Sequence, residues 1–501
     1  MYNYDYKKCL MCYDAPCSKA CGRVDIEKMM RAFYLDDFGY AFTMLEKCDT
    51  CEFCDGICTN ACLNGIDIRK MVIDNRQYGY LYENLEGYED IDISSDICGV
   101  KLENPFILSS SCVGASYDMI ARAFDMGWAG VSYKTISMMD MYEASPRYSA
   151  VKDDNIHIYG FKNIEQLSSH SVEENIETIS LLKKNYPDKV VIASIMGRNE
   201  AEWEYLSRKV SEAGADVIEL NFSCPNMEEK NTGSDIGQNP EWCKKFMKAA
   251  KKGATVPVIA KLTPNIQDIT VPGLASIEGG ADGLSAINTI KSITGVDLDT
   301  KVALPAVGTN SMVGGYSGPA VKPIALRQIS ELSRNEVINK KHISGIGGIE
   351  TWEDAVEFMM LGAGSVQMTT SVMQYGYRII EDLINGLKIF MKQKGYTPVY
   401  DFIGAAVSSI VENDEINRDT MVYPTFIDKY CHGCGRCHIA CNDAGHQAMM
   451  FDKETRKPKL DGTKCVGCML CSLVCPGAAI VPSKRFAKKE NRAVKELDPY
   501  I

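Results

Sequence analysis

The sequence has no apolar run long enough to span a bilayer, and even VVIASIM at 190–196 is only strand-sized. No apolar stretch follows the lysines of the opening MYNYDYKKCL, so we expect no signal peptide, no membrane contact and a cytoplasmic location. No basic tract offsets the formal net charge of −12, which argues against a nucleic-acid partner. The fingerprint GxGxxG is also missing after the first predicted strand, so no dinucleotide-binding domain is indicated there.

Cysteine, by contrast, is abundant and unevenly placed. Of 21 cysteines, nine lie between Cys9 and Cys62 and eight between Cys431 and Cys475. In a long chain without an export signal, such clusters are typical of metal ligands and not of a disulfide framework. Four cysteines lie between these two regions. Cys98, Cys112 and Cys243 are expected to be ordinary core or loop residues, and Cys224 is discussed below.

The C-terminal cysteines repeat the spacing CxxCxxCxxxC, and the second copy is followed by proline. This double repeat is typical of ferredoxins with two [4Fe–4S] clusters, in which the fourth cysteine of each run binds the other cluster. Paired zinc sites are the alternative, which the double match disfavours. We predict one cluster on Cys431, Cys434, Cys437 and Cys475, and another on Cys465, Cys468, Cys471 and Cys441.

The N-terminal cysteines follow a less regular spacing. Nine thiols can bind two [4Fe–4S] clusters with one left over, but zinc stays open because CxxC pairs also suit tetrahedral zinc. The candidate ligands are Cys9, Cys12, Cys17, Cys21, Cys48, Cys51, Cys54, Cys58 and Cys62.

Between the cysteine-rich regions, apolar strand-like runs alternate with amphipathic helical stretches. The predicted strands are 105–110, 129–135, 190–196, 216–223, 257–262, 283–289, 342–349 and 365–370. They favour a closed parallel barrel over a doubly wound open sheet. The predicted fold is α/β: a (β/α)8 TIM barrel (91–390) with an N-terminal α-helical iron–sulfur domain (1–90). A connector (391–425) leads to a ferredoxin-like α+β domain (426–501).

Polar residues follow several predicted strands, at the rim where such barrels keep their chemistry. A lone Asn at a strand end is usually a turn residue and a lone Lys is usually solvated, but their joint placement on one rim indicates a site. These residues are Lys134, Asn221, Cys224, Lys261, Asn288 and Thr289. The pairs Gly347–Gly348 and Thr369–Thr370 follow the last two strands, the usual place for a cofactor phosphate.

Several segments resemble the flavin domain of dihydropyrimidine dehydrogenase and, more distantly, dihydroorotate dehydrogenase: ELNFSCPN, AKLTPN, SAINT, YSGPAVKPIALR and SGIGGIETWEDAVEFM. The segment CGRCHIACNDAGHQAMMFD resembles the ferredoxin domain of the same family. The segment CLMCYDAPCSKAC resembles the N-terminal iron–sulfur domain of dihydropyrimidine dehydrogenase and of the glutamate synthase small subunit. The chain thus resembles the catalytic subunit of the bacterial two-subunit enzyme, with an added N-terminal cluster domain.

The resemblance implies FMN at the rim, with hydride moving between flavin N5 and C6 of a pyrimidine while Cys224 transfers the proton at C5 from the opposite face. A thiol pKa near 8.5 suits that step. Lys261 would stabilise reduced flavin near N1, and Lys134 would bond the isoalloxazine. The other implied cofactor-binding residues are Ser109, Ser110, Thr135, Gly318, Gly347, Gly348, Thr369 and Thr370. The implied substrate-binding residues are Asn163, Asn221, Ser223, Asn288 and Thr289.

The resemblance also implies how the N-terminal thiols are shared. One cluster would take Cys9, Cys12, Cys17 and Cys62. The other would take Cys21 and Cys58 with further ligands from Cys48, Cys51 and Cys54. Electrons would come from ferredoxin or from an FAD- and NAD(P)H-binding flavoprotein subunit, in a homodimer or heterotetramer.

We therefore expect an oxidoreductase acting on CH–CH bonds that reduces uracil or thymine to its dihydro form. Asn226 stands where pyrimidine dehydrogenases carry His and dihydroorotate dehydrogenases carry Asn. A second hypothesis is therefore the same chemistry on another cyclic or conjugated carbonyl compound such as dihydroorotate or orotate, although no basic group is evidently dedicated to a carboxylate. A third is a non-catalytic electron-transfer scaffold, which the presence of Cys224, Lys134 and Lys261 disfavours.

Overall fold

The computed structural model describes residues 5–48, 51–82, 84–153, 157–227 and 232–487. The first four residues and 488–501, which belong to the predicted first and last domains, lie outside the described part. The chain divides after Ser409 into two compact units. The first unit contains both the N-terminal module (residues 5–90) and the barrel. In the described residues, no helix combines the length and apolar character needed to cross a membrane.

The secondary structure alternates as the sequence pattern indicates. The helices are α1 (Pro16–Cys21), α2 (Ile26–Tyr34), α3 (Phe38–Glu46), α4 (Ile57–Asn60), α5 (Ile68–Arg76), α6 (Tyr117–Asp125), α7 (Val172–Asn185), α8 (Glu200–Glu212), α9 (Ser234–Gly237), α10 (Pro240–Gly253), α11 (Thr270–Glu278), α12 (Lys322–Arg334), α13 (Trp352–Met360), α14 (Thr370–Tyr375), α15 (Ile379–Lys394), α16 (Arg436–Ala444) and α17 (Leu470–Leu473). The strands are β1 (Ser95–Ile97), β2 (Val100–Leu102), β3 (Phe106–Leu108), β4 (Gly130–Ser137), β5 (Tyr148–Lys152), β6 (Ile158–Asn163), β7 (Val190–Met196), β8 (Val217–Asn221), β9 (Val258–Lys261), β10 (Gly283–Ala286), β11 (Ile290–Ser292), β12 (Gly314–Ser317), β13 (His342–Ile346), β14 (Ser365–Met368), β15 (Thr420–Met421), β16 (Pro424–Phe426), β17 (Met449–Asp452), β18 (Lys457–Leu460), β19 (Ile480–Pro482) and β20 (Phe486–Ala487).

Eight parallel strands close into a barrel in the order β3, β4, β7, β8, β9, β10, β13, β14. Closure is made by β14 pairing with β3, where Met368 lies opposite Leu108. Each of the eight predicted runs overlaps one of these strands, so the barrel is confirmed and the open sheet is wrong. The strand β7 is buried along its whole length, as expected for a parallel strand covered on both faces.

Two of the helices around the barrel begin at capping boxes. Ser171 and Glu174 form a reciprocal capping box at the start of α7, and Thr351 with Asp354 does the same for α13. These caps satisfy backbone N–H groups that the first helical turn leaves unpaired. They therefore fix where α7 and α13 start.

A second sheet lies at the carboxyl ends of the barrel strands. It is antiparallel, in the order β11, β12, β6, β5. Asn163 of β6 lies opposite Gly315 of β12, and Tyr316 lies opposite Ile290. The sequence analysis did not predict this sheet. It places Asn163 and Tyr316 on the same cavity as the barrel rim.

The N-terminal module is helical, as predicted. Its own core is formed by apolar residues of α2, α3 and α5, with Cys48, Cys51 and Cys58 buried among them. The side chain of Arg31 in α2 is buried and bonds to Asp382 of α15. The module is therefore anchored to the last barrel helix.

The second unit has the predicted α+β character. It pairs β16 with β19, β17 with β18 and β15 with β20, all antiparallel. Its core contains Phe426, Met449 and Ile480 together with Cys437 and Cys471. The two cysteine runs lead into α16 and α17, so the sequence repeat is also a structural repeat.

Candidate active site

One large cleft opens at the carboxyl ends of the barrel strands, with about 1100 Å³ of empty space including the part open to solvent. The structure brings nearly all the predicted site residues onto its wall. They are Ser109, Ser110, Lys134, Thr135, Asn163, Asn221, Cys224, Lys261, Asn288, Thr289, Gly318, Gly347, Gly348, Thr369 and Thr370. Ser223 lies behind the wall, where its hydroxyl contacts two of the asparagines.

Two asparagines are held in fixed orientations by their neighbours. Asn221 donates to Thr135 Oγ1 at 2.9 Å, and its Oδ1 accepts from the Ser223 hydroxyl at 2.9 Å. Asn288 donates to Ser223 Oγ at 2.8 Å, and its Oδ1 accepts from the Thr289 N–H at 2.8 Å. Each Nδ2 carries a second N–H for which the described residues offer no acceptor. Both amides therefore act as hydrogen-bond donors toward the cleft.

A third asparagine, Asn163, is held in the same way by Asn226, the residue that stands where pyrimidine dehydrogenases carry His. Asn163 donates to Gly315 O at 3.2 Å, and its Oδ1 accepts from Asn226 Nδ2 at 3.0 Å. Asn226 is 2% exposed, and its Oδ1 has no hydrogen-bond partner among the described residues. The residues of the cleft wall thus combine several donors with buried oxygens that lack a partner, of which Asn226 Oδ1 lies next to Asn163.

The two predicted lysines are each paired with a carboxylate. Lys261 lies 3.2 Å from Ser109 Oγ and 3.3 Å from Glu219 Oε1. Glu219 is fully buried and accepts further hydrogen bonds from Ser132, Ser285 and Gln367. Sequence reasoning missed Glu219, although a charged residue within the apolar run DVIELNFS was a usable signal.

Lys134 has two acidic neighbours. Its Nζ lies 3.4 Å from Glu165 Oε1 and 3.7 Å from Glu143 Oε1. Both carboxylates come from the segment between β4 and α7, which carries no recognisable motif. Sequence reasoning therefore had no means to place them beside Lys134.

The Cys224 side chain is buried. Burial raises the pKa of Cys224 to about 11, against the lowering effects of the Asn226 backbone N–H and of Lys261 and Lys134. The thiol is thus neutral at physiological pH, which corrects the expectation of a pKa near 8.5. Gly233 packs against the carbonyl of Cys224, where a Cβ would lie only 2.4 Å from the oxygen.

One end of the cleft suits a phosphate. Gly347 and Gly348 have positive φ values of 128° and 79°, and a Cβ on Gly348 would lie 2.8 Å from Lys322 N. Only glycine fits this close turn. The buried hydroxyl of Ser371, on the same wall, has no partner among the described residues. These features fit the phosphate of a flavin nucleotide.

The remaining cysteines of the barrel separate into two kinds. Cys112, expected to be an ordinary core or loop residue, lines the cleft with its Sγ 3.8 Å from Met373 Sδ. Cys243 is buried in α10 and donates to Ile236 O, whereas Cys98 lies between β1 and β2.

The N-terminal thiols gather in two groups. A cavity is lined by Cys9, Cys12, Cys17 and Cys62, the set that the resemblance implied. Burial raises the pKa of Cys58, and the nearby Cys21 and Cys54 thiols raise it further, so these three also lie together. The Cys48 and Cys51 sulfurs, both assigned as ligands from the sequence, lie against each other. Their ligation stays a prediction.

The C-terminal thiols follow the crossed arrangement. A cavity is lined by Cys431, Cys434, Cys437 and Cys475, so the fourth cysteine of the second run joins the first three of the first run. Burial raises the pKa of Cys465, and the Cys468 and Cys441 thiols raise it further, so these lie together. Four thiolates around one space fit a cubane cluster.

The sequence of this chain is similar to those of known proteins. Residues 92–391 match the family model described as dihydroorotate dehydrogenase, and residues 425–481 match a 4Fe-4S dicluster domain. The "NAD-dependent dihydropyrimidine dehydrogenase subunit PreA" of Escherichia coli (strain K12) is 50% identical over 80% of this chain and 98% of its own length. The "Dihydropyrimidine dehydrogenase (NADP(+)), chloroplastic" of Arabidopsis thaliana is 38% identical over 65% of this chain and 79% of its own length.

A third relative carries the other activity in its name. The "Dihydroorotate dehydrogenase B (NAD(+)), catalytic subunit" of Pyrococcus abyssi is 39% identical over 62% of this chain and 98% of its own length. Barrel, rim and dicluster domain together define a flavin- and iron–sulfur-dependent oxidoreductase acting on CH–CH bonds. The chain belongs to the dihydroorotate dehydrogenase family. Its relatives named as dihydropyrimidine dehydrogenases include the one that is 50% identical.

Proposed function

We propose that this chain reduces the C5=C6 bond of a pyrimidine base, converting uracil or thymine to its dihydro form. The observation that carries the proposal is the pattern of polar groups on the cleft. Asn163, Asn221 and Asn288 present N–H donors, and Asn226 Oδ1 presents a buried acceptor. A pyrimidine-2,4-dione offers two carbonyl acceptors and ring N–H donors, which such a pattern complements.

The cleft also has the residues to hold FMN, which supplies hydride to carbon when it is bound and reduced. Gly347, Gly348, Thr369 and Thr370 would surround its phosphate. Lys261, backed by the buried Glu219, would stabilise negative charge on the reduced ring. Ser109, Ser110, Gly318, Lys134 and Thr135 would complete the cofactor contacts.

Cys224 would provide the proton that completes the reduction. Because its pKa is raised to about 11, the thiol carries a proton at neutral pH and is suited to act as the acid toward C5. Lys134 and Lys261 lower that pKa, so they would stabilise the thiolate formed after the transfer. Thr289 and Ser223 would help to hold the ring, directly or through Asn288 and Asn221.

Electrons would enter through four [4Fe–4S] clusters, two on the C-terminal thiols and two on the N-terminal thiols. Two of the relatives are named as subunits, which supports a partner for this chain as well. We infer a partner that is either ferredoxin or an FAD- and NAD(P)H-binding flavoprotein, within a homodimer or a heterotetramer. The isolated chain is then expected not to oxidise NADH or NADPH at a useful rate.

A second candidate is the same chemistry on orotate or dihydroorotate. Asn226, in place of the histidine of the pyrimidine dehydrogenases, and the likeness to the Pyrococcus abyssi protein favour it. Both lysines among the described residues of the cleft wall are paired with carboxylates, so we rank this candidate below the uncharged pyrimidines.

The test is anaerobic reoxidation of the chemically reduced protein by a panel of rings, after iron and FMN have been counted. Uracil or thymine should reoxidise the flavin rapidly, with dihydropyrimidine as the product. Reoxidation by orotate alone would favour the second candidate. A protein without flavin and iron would contradict both.

A further inference from the structure

The cations on the wall of the cleft are already neutralised by the chain itself. Among the described lining residues they are Lys134 and Lys261. Lys134 lies within 4 Å of both Glu165 and Glu143, and Lys261 lies 3.3 Å from Glu219. Within the described part of the wall, an incoming anion would therefore find each lysine already paired with a carboxylate.

Two backbone N–H groups near Lys134, which could otherwise bind an anion, already donate to side chains of the protein. The N–H of Glu165 donates to Asn163 Oδ1 at 3.2 Å, and the N–H of Gln166 donates to Glu143 Oε1 at 3.0 Å. Adjacent N–H groups of this kind are an ordinary way to bind a carboxylate. Here both N–H groups donate to side-chain oxygens of the protein itself.

Glu165 itself faces the space where a substrate would bind. It lines the cleft and follows Asn163, one of the three donor asparagines, by two residues. Its side chain is 13% exposed and that of Glu143 is 15% exposed, so solvent screens these charges poorly. A substrate carboxylate held at this end would be repelled by the Glu165 carboxylate and would have to compete with it for Lys134.

We propose that Glu165 determines substrate specificity by excluding rings that carry a carboxylate and admitting uncharged ones; this inference rests on the proposed function. Two like charges about 5 Å apart at an effective dielectric constant of about 20 change an equilibrium by a factor on the order of 100. Glu143 supports this exclusion because it pairs with Lys134 and accepts a hydrogen bond from the Gln166 N–H.

The experiment uses the holoprotein under anaerobic conditions. The oxidised protein is titrated with uracil and with orotate while the flavin absorption is recorded, and the reduced protein is then reoxidised by each ring. The wild type should bind uracil more tightly than orotate, because Glu165 already occupies Lys134. Glu165→Gln should narrow this ratio at least about tenfold. Glu212→Gln, an exposed residue of α8, removes the same charge and should leave the ratio unchanged.

Glu143→Gln is a second variant, expected to narrow the ratio in the same direction if Glu165→Gln folds poorly. Equal binding of the two rings by the wild type would overturn the inference, as would an unchanged ratio in both variants. In those cases reoxidation by uracil would still support the proposed function. If neither ring reoxidises the reduced flavin, the proposed function is overturned, and so is the role of Glu165 in substrate specificity.

Discussion

Arg31 Nε, on helix α2 of the N-terminal module, donates to Asp382 Oδ2 on the last barrel helix at 2.6 Å, and both side chains are buried. Arg31 also lies 3.2 Å from Glu27 and 2.8 Å from Glu381. A buried charge that loses its partner is strongly disfavoured. This contact therefore fixes the cysteine-bearing module against the flavin barrel.

Replacement of Arg31 by alanine should destabilise the first unit. The expected loss is about 3–5 kcal/mol, because Asp382 would be left buried without its partner. The midpoint of urea unfolding measures it. Lys209→Ala is the control, because Lys209 pairs with Glu212 at the surface and should cost less than about 1 kcal/mol. Equal midpoints for the two variants would show that the Arg31 contact adds no stability.

Removal of the Cys224 thiol should abolish most turnover without loss of cofactors. A missing general acid costs about 10²–10⁴-fold in rate, so Cys224→Ala should lower turnover by this factor while the iron and flavin contents stay constant. Cys243→Ala is the matched control, because that thiol lies inside α10 and away from the cleft wall. Turnover of Cys224→Ala near the wild-type rate would remove the acid role.

The pH dependence of reduction follows from the raised pKa of Cys224. The protonated thiol is the reactive form for reduction and is fully present below that pKa. Reduction should therefore be flat across neutral pH and fall only as the pH approaches about 11. Oxidation of the dihydro product needs the thiolate and should rise with pH instead. Single-turnover rates measure both, and a fall centred near about 8.5, the ordinary thiol value, would contradict the raised pKa.

The crossed arrangement of the C-terminal thiols can be tested by two single substitutions. Cys475 shares a cavity with Cys431, Cys434 and Cys437, so Cys475→Ala should remove that cluster and spare the other. Cys441→Ala should do the reverse. Iron content and electron paramagnetic resonance of the reduced proteins report the outcome. Loss of the same signal in both variants would show that the two cysteines bind one cluster.

The sequence was enough to predict the barrel because each strand is a short buried run followed by a helix, and this alternation is local. The sheet of β5, β6, β11 and β12 escaped prediction because its strands are short and only partly buried. Its pairing depends on residues far apart in the chain, such as Asn163 and Gly315.

The candidate site, too, could be predicted from the sequence only in part. Residues in strand-end motifs, such as Cys224 and Lys261, could be placed on the rim from the sequence. The partners that set their charge could not, because Glu143 and Glu165 reach Lys134 from a segment without a motif. The orientation of Asn163 by Asn226 spans 63 residues and appears only in the folded chain.

The central claim is that the ring is reduced between the flavin on one face and Cys224 on the other. Nuclear magnetic resonance of dihydrouracil formed by the reduced protein in deuterium oxide tests it most directly. We predict deuterium at C5 and C6 on opposite faces of the ring, with this product formed far more slowly by Cys224→Ala. Addition to one face, or an unchanged rate in the variant, would contradict the account.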